Sequence, residues 1–189
     1  MRKLKLQIQL SVDGFIAGPN GEMDWMVWNW DDDLKNYVSN LTEAVDTIIL
    51  GRKLAEGFIP HWAAAAEIEN EEQAFAKKMS ETAKVVFTRT LEVSTWENTD
   101  VAKGKLVDEI HKLKKQIGGD IIVYGGGSFV SALIKEGLID EYHLFVNPAI
   151  LGSGMPIFQK LSSKQNLTLK YVKGFDCGIT LLCYTPKKD

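Results

Sequence analysis

The stretch Ile121-Ile122-Val123-Tyr124-Gly125-Gly126-Gly127-Ser128-Phe129 decides how this chain folds. A short apolar strand runs through three consecutive glycines into a helical pattern. Glycines let backbone N–H groups approach an anion closely, and a helix N-terminus adds about half a positive charge. We therefore predict that Gly125, Gly126, Gly127 and Ser128 hold a pyrophosphate. The alternative is a tight strand-to-helix turn capped by Ser128. The stretch matches neither the P-loop nor the Rossmann fingerprint.

Strand and helix patterns alternate along the rest of the chain. Residues 4–12 alternate between apolar and polar side chains, as a strand does, and three aspartates precede a helical apolar stripe. The expected strands cover 4–12, 47–50, 84–88, 120–124, 142–146, 167–172 and 179–184. The expected helices cover 34–45, a segment after Pro60 with Ile68, Phe75 and Met79 on one stripe, 104–117 and 125–136.

This order of elements predicts an α/β fold. Four short strands, each followed by a helix, are typical of a parallel sheet with helices on both faces. The last strands follow one another without helices, and the final two resemble a hairpin. We therefore expect a mostly parallel sheet with an antiparallel C-terminal edge, in one domain spanning residues 1–189.

Composition excludes several classes of protein. Of 189 residues, 45% are hydrophobic and 25% charged, as in globular proteins, and the net charge of −3 argues against a nucleic-acid partner. No apolar run approaches the roughly 20 residues of a membrane span, so we expect no membrane partner. Cys177 and Cys183 read as reduced thiols, and we predict a cytoplasmic protein. The three histidines show no paired ligand spacing, so we predict no metal site.

Two further strand ends carry groups that suit an anionic ligand. Gly51-Arg52 follows one strand, and Thr88-Arg89-Thr90 follows another. Ligands of open α/β sheets bind at the carboxyl ends of parallel strands, where these groups and the triple glycine fall. Together they predict a cleft for an anionic dinucleotide. Arg89 and its flanking threonines would favour a 2′-phosphate, and hence NADPH over NADH.

Motifs in the same order along the chain resemble the dihydrofolate-reductase-like superfamily. The closer resemblance is to the branch related to the C-terminal reductase domain of bacterial riboflavin biosynthesis. The motifs are Ser11-x-Asp13-Gly14-x-Ile16-Ala17, Ile49-Leu50-Gly51-Arg52, Val86-Phe87-Thr88-Arg89-Thr90, Gly125-Gly126-Gly127-Ser128, Leu138-Ile139-Asp140-Glu141 and Pro148-x-x-Leu151-Gly152-x-Gly154-x-Pro156-x-Phe158. The resemblance implies a three-layer α/β/α fold and NADPH as cofactor.

The resemblance also implies where the cofactor lies. Its pyrophosphate would contact Gly51, Arg52 and Lys53 together with the triple glycine, and its adenosine phosphate would lie near Thr88, Arg89 and Thr90. The nicotinamide would lie under the loop of residues 13–21, which includes Ala17 and whose apolar residues suggest a lid over a ligand. Leu54 departs from the family, in which a threonine hydroxyl often helps to hold the cofactor.

The segment Trp28-Asn29-Trp30-Asp31-Asp32-Asp33-Leu34 resembles a stretch of true dihydrofolate reductases. The resemblance implies that Asp33 is a buried carboxylate that assists protonation of the substrate. A desolvated carboxyl group with a raised pKa can supply that proton. The alternative is that the three aspartates only cap the following helix.

Aromatic side chains cluster near the expected cleft. Trp25, Trp28 and Phe58 are our candidates for stacking on a flat heterocyclic substrate. Filling of the core or anchoring of loops is the alternative for each of them.

The resemblance implies reduction of the ribosyl carbon of 5-amino-6-(5-phosphoribosylamino)uracil. Such a phosphoribosyl substrate needs a further anion site, and no obvious cationic cluster exists outside the cofactor motifs. Reduction of a pterin such as dihydrofolate, or cofactor binding with little catalysis, are the alternative functions. Members of this branch commonly pair, and the C-terminal edge strand could be covered by a second copy, so we expect a homodimer.

Overall fold

The computed structural model describes residues 1–187, in which it contains eight strands and five helices. In chain order these are β1 (Leu4–Leu10), α1 (Asp32–Glu43), β2 (Val45–Gly51), α2 (Arg52–Ala66), α3 (Gln73–Glu81), β3 (Ala83–Phe87), β4 (Thr99–Ala102), α4 (Leu106–Lys115), β5 (Asp120–Val123), α5 (Gly127–Lys135), β6 (Glu141–Val146), β7 (Leu167–Gly174) and β8 (Thr180–Pro186).

All eight strands form one sheet in the order β4-β3-β2-β5-β1-β6-β8-β7. The strands from β4 to β6 in this order pair in parallel, while β8 pairs antiparallel with both β6 and β7. The predicted mixed sheet with an antiparallel C-terminal edge is therefore confirmed. Strand β1 lies between β5 and β6, which explains why both of its faces are largely buried.

Helices cover both faces of the sheet, which confirms the three-layer prediction. Ile49 of β2 packs in the hydrophobic cluster that contains α4 and α5, whereas its neighbours Ile48 and Leu50 pack with α2 and α3. Successive side chains of a strand point to opposite faces, so these two clusters lie on opposite sides of the sheet. Helix α1 packs against Phe145 of β6 in a third hydrophobic cluster, whereas the adjacent Leu144 belongs to the cluster of α4 and α5. Helix α1 therefore lies on the opposite side of the sheet from α4 and α5.

Several predicted boundaries are wrong. Strand β1 ends at Leu10, so Val12 lies in the following loop and is exposed. The helix expected after Pro60 is instead two helices: α2 begins at Arg52 and contains Pro60, while Phe75 and Met79 lie on α3. Helix α2 tolerates Pro60 because it buries Ala55 and Ile59 before this residue and Ala66 after it. Ile68 and Ile117 lie outside the helices and are exposed. The prediction missed β4, because four residues at a sheet edge carry almost no periodicity.

No helix within residues 1–187 combines the length and the apolar character needed to cross a membrane.

Candidate functional site

The candidate site lies at the carboxyl edge of the parallel strands. Because β1 to β6 run in the same direction, their carboxyl ends share one edge of the sheet. The segments that leave this edge begin at Ser11, Arg52, Thr88, Lys103, Tyr124 and Asn147. The edge therefore collects all the strand ends to which the sequence analysis assigned a ligand.

Gly51 and Gly126 approach each other closely at this edge. A Cβ atom on Gly126 would lie 3.4 Å from the Cα atom of Gly51, and one on Gly51 would lie 3.0 Å from the Cβ atom of Phe129. Gly126 also has a φ of +85°, which side chains other than glycine rarely tolerate. We call Gly51, Gly125, Gly126 and Gly127 the glycine cradle.

Two helices begin at the glycine cradle without a side-chain cap. Gly51 is the N-cap of α2 and Gly126 is the N-cap of α5, and neither position supplies a side-chain acceptor to the first turn. The alternative in which Ser128 caps its helix is therefore wrong. The first backbone N–H groups of a helix have no intrahelical acceptor, so both helices present free donors and positive dipole ends here. An anion with two charged groups suits this arrangement.

Leu54 packs against the cradle, where related proteins often have a threonine. Its Cδ2 atom would lie 3.3 Å from a Cβ atom on Gly125, and its side chain joins the hydrophobic cluster beneath α2. The side chain thus seals the cradle from the core side and offers no hydroxyl group. Contacts from this turn to a ligand would come from the backbone.

The cations of the site differ in their availability. Arg52 pairs with Glu56 one turn along α2, while Lys53 is exposed in the first turn. Arg89 is exposed and forms no salt bridge within the described part of the chain. The Thr88 hydroxyl accepts hydrogen bonds from the backbone of Thr90 and Leu91, which shapes the turn that carries Arg89.

The end of β3 lies close to the start of α5. The rings of Phe87 and Phe129 are 4.8 Å apart between centroids. This contact brings the turn of Thr88, Arg89 and Thr90 beside the glycine cradle, as a dinucleotide site requires.

The loop after β1 is fastened to the segment after β6. Val12 donates a backbone hydrogen bond to Ala149, Ile16 donates to Met155, and Met155 donates back to Ala17. The Ile16 side chain reaches the cradle, where its Cδ1 atom would lie 3.0 Å from a Cβ atom on Gly127. The loop that we expected to act as a lid is therefore hydrogen-bonded along its length to a neighbouring loop. Ala17, which belongs to it, is buried.

Asp13 joins these two loops. Its carboxylate accepts hydrogen bonds from the Ser11 hydroxyl at 2.7 Å and from the backbone N–H groups of Leu151 at 3.1 Å and Gly152 at 2.7 Å. The Ser11 hydrogen bond and these backbone donors lower the pKa of Asp13. The sequence analysis quoted Asp13 within a motif but assigned it no role.

Asp33 is not the buried carboxylate that the resemblance implied. Its side chain is 72% exposed and pairs with Lys173 of β7, with 2.9 Å between Oδ2 and Nζ. Asp31 caps α1 instead by accepting hydrogen bonds from the backbone of Leu34 and Cys177. Asp33 therefore lies in the exposed first turn of α1 and not in a desolvated pocket.

The three aromatic candidates occupy different environments. Phe58 stacks on Tyr124, with 5.4 Å between ring centroids, inside the cluster beneath α2, so it fills the core as the alternative held. Trp25 is half-buried and donates from Nε1 to the Glu22 carbonyl. Trp28 is 64% exposed and forms no aromatic pair within residues 1–187. Of the three, Trp28 is best placed to stack on a ligand.

A strip of polar side chains, missed in the sequence analysis, runs along β1 and β6. Asn147 is fully buried; its Oδ1 accepts from the Val27 backbone at 2.9 Å, and its Nδ2 donates to Gln9 Oε1 at 2.7 Å. Gln7 and His143 face each other across the two strands; Gln7 Oε1 has no hydrogen-bond partner within residues 1–187, and His143 Nε2 lies 3.5 Å from Glu141 Oε2. The polar alternation of β1 and the strand-ending Asn147 were the available sequence signals.

His143 should make stability depend on pH. Burial lowers its pKa, an effect that nearby Glu141 opposes and that Lys5 and Lys3 reinforce. Below pH 6.5 the His143 side chain therefore binds a proton in the unfolded chain but stays neutral in the folded chain until the pH falls further. The free energy of unfolding is thus highest above pH 6.5 and decreases as the pH falls below that value. We expect His143→Gln to flatten the decrease in unfolding free energy between pH 7.5 and 5.5, by up to about 1.4 kcal/mol per pH unit.

Urea unfolding across this pH range measures the effect. The exposed His111→Gln variant is the matched control and should keep the slope of the unaltered protein. Equal slopes for His143→Gln and the unaltered protein would contradict the prediction.

Comparisons with known proteins match almost the whole chain to one domain family. The model of the RibD C-terminal domain family matches residues 2–181. The uncharacterized protein YyaP of Bacillus subtilis is 32% identical over 97% of this chain and 94% of its own length.

Solved structures show the same fold. A deaminase/5-amino-6-(5-phosphoribosylamino)uracil reductase from Thermotoga maritima is 18% identical, with a TM-score of 0.71 over 98% of this chain and 57% of that one. RibD of Acinetobacter baumannii is 19% identical, with a TM-score of 0.70 over 99% of this chain and 58% of that one.

Proposed function

This chain belongs to the RibD C-terminal domain family, and we propose that it is an NADPH-dependent reductase that transfers hydride to a small heterocyclic or sugar-linked substrate. One observation carries the proposal. The uncapped starts of α2 and α5 meet at the contact between Gly51 and Gly126. Two adjoining helix N-termini on a glycine surface are suited to the linked phosphates of a dinucleotide.

The residues at the edge fit the cofactor. The glycine cradle leaves open the space that a Cβ atom on Gly126 would fill, and the first-turn N–H groups of both helices would bind the pyrophosphate. Arg89, with Thr88 and Thr90, would bind the 2′-phosphate. Ile16 and Ala17 would lie against the nicotinamide, because this loop contacts the start of α5. When bound there, NADPH supplies the hydride for reduction of the substrate.

The chain itself would contribute positioning and exclusion of water. The hydrogen bonds between the loop after β1 and the segment after β6 hold one wall of the site in place, and Asp13 fastens both loops. A fixed wall would keep the hydride donor, NADPH, and the substrate that accepts the hydride in a reactive arrangement. The exposure of Asp33 removes the reason for favouring pterin reduction, which depended on a buried acid.

Titration with NADPH tests the proposal directly. We expect quenching of tryptophan fluorescence with a dissociation constant below 1 mM, followed by substrate-dependent loss of NADPH absorbance with an accepted heterocycle. Absence of binding by both NADPH and NADH at millimolar concentration would refute the proposal. Binding without turnover across a broad substrate panel would instead favour the alternative of a cofactor-binding protein.

Arg89 should set the preference for NADPH. A charge-assisted hydrogen bond contributes about 1.5–3 kcal/mol, so we expect Arg89→Ala to weaken NADPH binding about 10- to 150-fold and leave NADH binding unchanged. Isothermal titration with both cofactors measures this ratio. The control Lys112→Ala removes an exposed cation of α4, away from this edge, and it should change neither affinity. An equal loss for both cofactors in Arg89→Ala would contradict the assignment.

We also propose that the protein forms a homodimer through β7. This strand has only one sheet neighbour, and its apolar side chains Leu169, Tyr171 and Val172 are exposed. An uncovered edge strand of this kind is a ready surface for a second chain. Sedimentation equilibrium should give about twice the mass of 21.1 kDa, and Val172→Lys should lower it toward the monomer. A monomeric mass for the unaltered protein would overturn this proposal.

A further inference from the structure

The substrate class can be inferred from the part of the edge that the cofactor would leave free, and this step rests on the proposed function. The adenosine end of the dinucleotide would lie at β3, the pyrophosphate between β2 and β5, and the nicotinamide at the loop after β1. Since β6 is the next strand in the sheet, the substrate has to lie between the ends of β1 and β6. Residues 11–34 and 147–159 surround this position, and we call them the substrate mouth.

The substrate mouth contains no cation. Neither of its two segments includes a lysine, arginine or histidine. They contribute six carboxylates instead: Asp13, Glu22, Asp24, Asp31, Asp32 and Asp33. All of these except Asp31 are exposed, and Asp24 and Asp32 form no salt bridge within residues 1–187. A phosphate group that entered the mouth would meet like charges and would lose the water that solvates it.

Three cations near the mouth are already paired, whereas Lys160, directly after its second segment, is exposed and forms no salt bridge within residues 1–187. Lys173 binds Asp33 at 2.9 Å, and Lys35 binds Glu72 at 3.3 Å. Arg52, at the cradle, pairs with Glu56. A substrate phosphate would therefore gain Lys173, Lys35 or Arg52 as a partner only by breaking an existing ion pair.

Apolar side chains cover much of the mouth. Trp28 is 64% exposed, and four further apolar residues of these segments are also exposed, namely Val12, Met23, Ile150 and Met155. Backbone hydrogen bonds between Val12 and Ala149 and between Ile16 and Met155 hold the two segments together. Exposed apolar surface that borders a ligand site is typical of sites for apolar or aromatic molecules.

Amide groups form the polar part of the mouth. Asn147 holds the Trp-containing segment through Val27 and donates to Gln9, whose half-buried side chain lies next to the end of β1. Neutral amides recognise the ring nitrogens and carbonyl groups of heterocycles, whereas they give a phosphate no charge compensation. We propose that the substrate is a flat, unphosphorylated heterocycle that is uncharged or cationic. This differs from the phosphoribosyl substrate that the family resemblance implied.

Ligand binding to the protein saturated with NADP⁺ tests the proposal. Saturation fills the cofactor's phosphate sites, so any further phosphate binding reports on the mouth. The probes are uracil, lumazine, 5-amino-6-ribitylaminouracil, the 5′-phosphate of the last compound, and ribose 5-phosphate. We expect at least one unphosphorylated ring to bind below 1 mM, the ribityl compound to bind at least 10-fold tighter than its phosphate, and ribose 5-phosphate not to bind at 10 mM.

Each other outcome has a defined meaning. Absence of NADP⁺ and NADPH binding refutes the proposed function, and this inference with it. Binding of NADP⁺ together with tighter binding of the phosphorylated compound, or of ribose 5-phosphate below 1 mM, overturns only the substrate class. Failure of all unphosphorylated rings to bind overturns it as well.

A charge-reversal variant gives a second, independent test. Asp24→Lys/Asp32→Lys places two cations in the mouth at exposed positions, and we expect it to tighten binding of the 5′-phosphate at least 5-fold. The control Glu69→Lys/Glu71→Lys makes the same change in net charge between α2 and α3 and should leave that affinity unchanged. Equal gains in both variants would mean that net charge alone governs the affinity, which would contradict the proposal.

Discussion

Gly126→Ala should weaken NADPH binding on the order of 100-fold, the largest effect that we expect on ligand affinity. The added Cβ atom would lie 3.4 Å from the Cα atom of Gly51 and 3.5 Å from its N atom, in the space between the two helix starts. A pyrophosphate would then lose close contact with the first-turn N–H groups of both helices. Loss of one strong or two weak charge-assisted hydrogen bonds, at about 1.5–3 kcal/mol each, accounts for a change of this size.

Gly137→Ala is the matched control for this variant. Gly137 follows α5 with a φ of +62°, so alanine there meets backbone strain of the same kind, yet nothing lies within 4 Å of the added Cβ atom. Both variants should lose thermal stability, whereas only Gly126→Ala should lose NADPH affinity in isothermal titration. A loss of affinity below 5-fold for Gly126→Ala, in a sample with an intact circular dichroism spectrum, would remove the glycine cradle from the cofactor site.

Asn147→Ala should give the largest loss of stability among the site variants. The side chain is fully buried, and its removal leaves the Val27 N–H and Gln9 Oε1 without partners. Each unsatisfied buried group costs about 1–3 kcal/mol, so we expect a loss of about 2–5 kcal/mol in the free energy of unfolding. For a protein of this length, this corresponds to a decrease of roughly 5–15 °C in the melting temperature.

Differential scanning calorimetry measures this decrease, and Asn70→Ala is the control. Asn70 is exposed and accepts one hydrogen bond from the Glu72 backbone, so its replacement should change the melting temperature by only about 2–4 °C. Tryptophan emission should also shift in Asn147→Ala, because the segment with Trp25, Trp28 and Trp30 loses its anchor to β6. Equal melting temperatures for the two variants would show that Asn147 does not anchor this segment.

Local sequence patterns were sufficient for most of the strands and helices. The apolar run before the triple glycine and the polar alternation of β1 depend on neighbouring residues, so periodicity reveals them. The same reasoning failed at Pro60, where packing of α2 against the sheet outweighs the loss of one backbone donor. It also failed at β4, whose four residues form a strand only because β3 offers them a partner.

Site residues were harder to predict because their partners are distant in the chain. The exposure of Asp33 depends on Lys173, 140 residues away, and the role of Asp13 depends on Gly152, 139 residues away. Asn147 carried no motif, and its importance comes from hydrogen bonds to Gln9 and Val27. The phosphate-binding turns were easier to recognise, since glycines and strand ends mark them locally.

The sequence by itself determined the α/β class, the antiparallel C-terminal edge and the strand ends where a dinucleotide would bind, because each depends on short-range periodicity or on the conformational freedom of glycine. Only the tertiary structure decided that Gly51 meets Gly126, that Asp33 is exposed and that the segments 11–34 and 147–159 lie side by side. These features come from packing between segments more than 70 residues apart, and no local pattern encodes which distant groups will become neighbours.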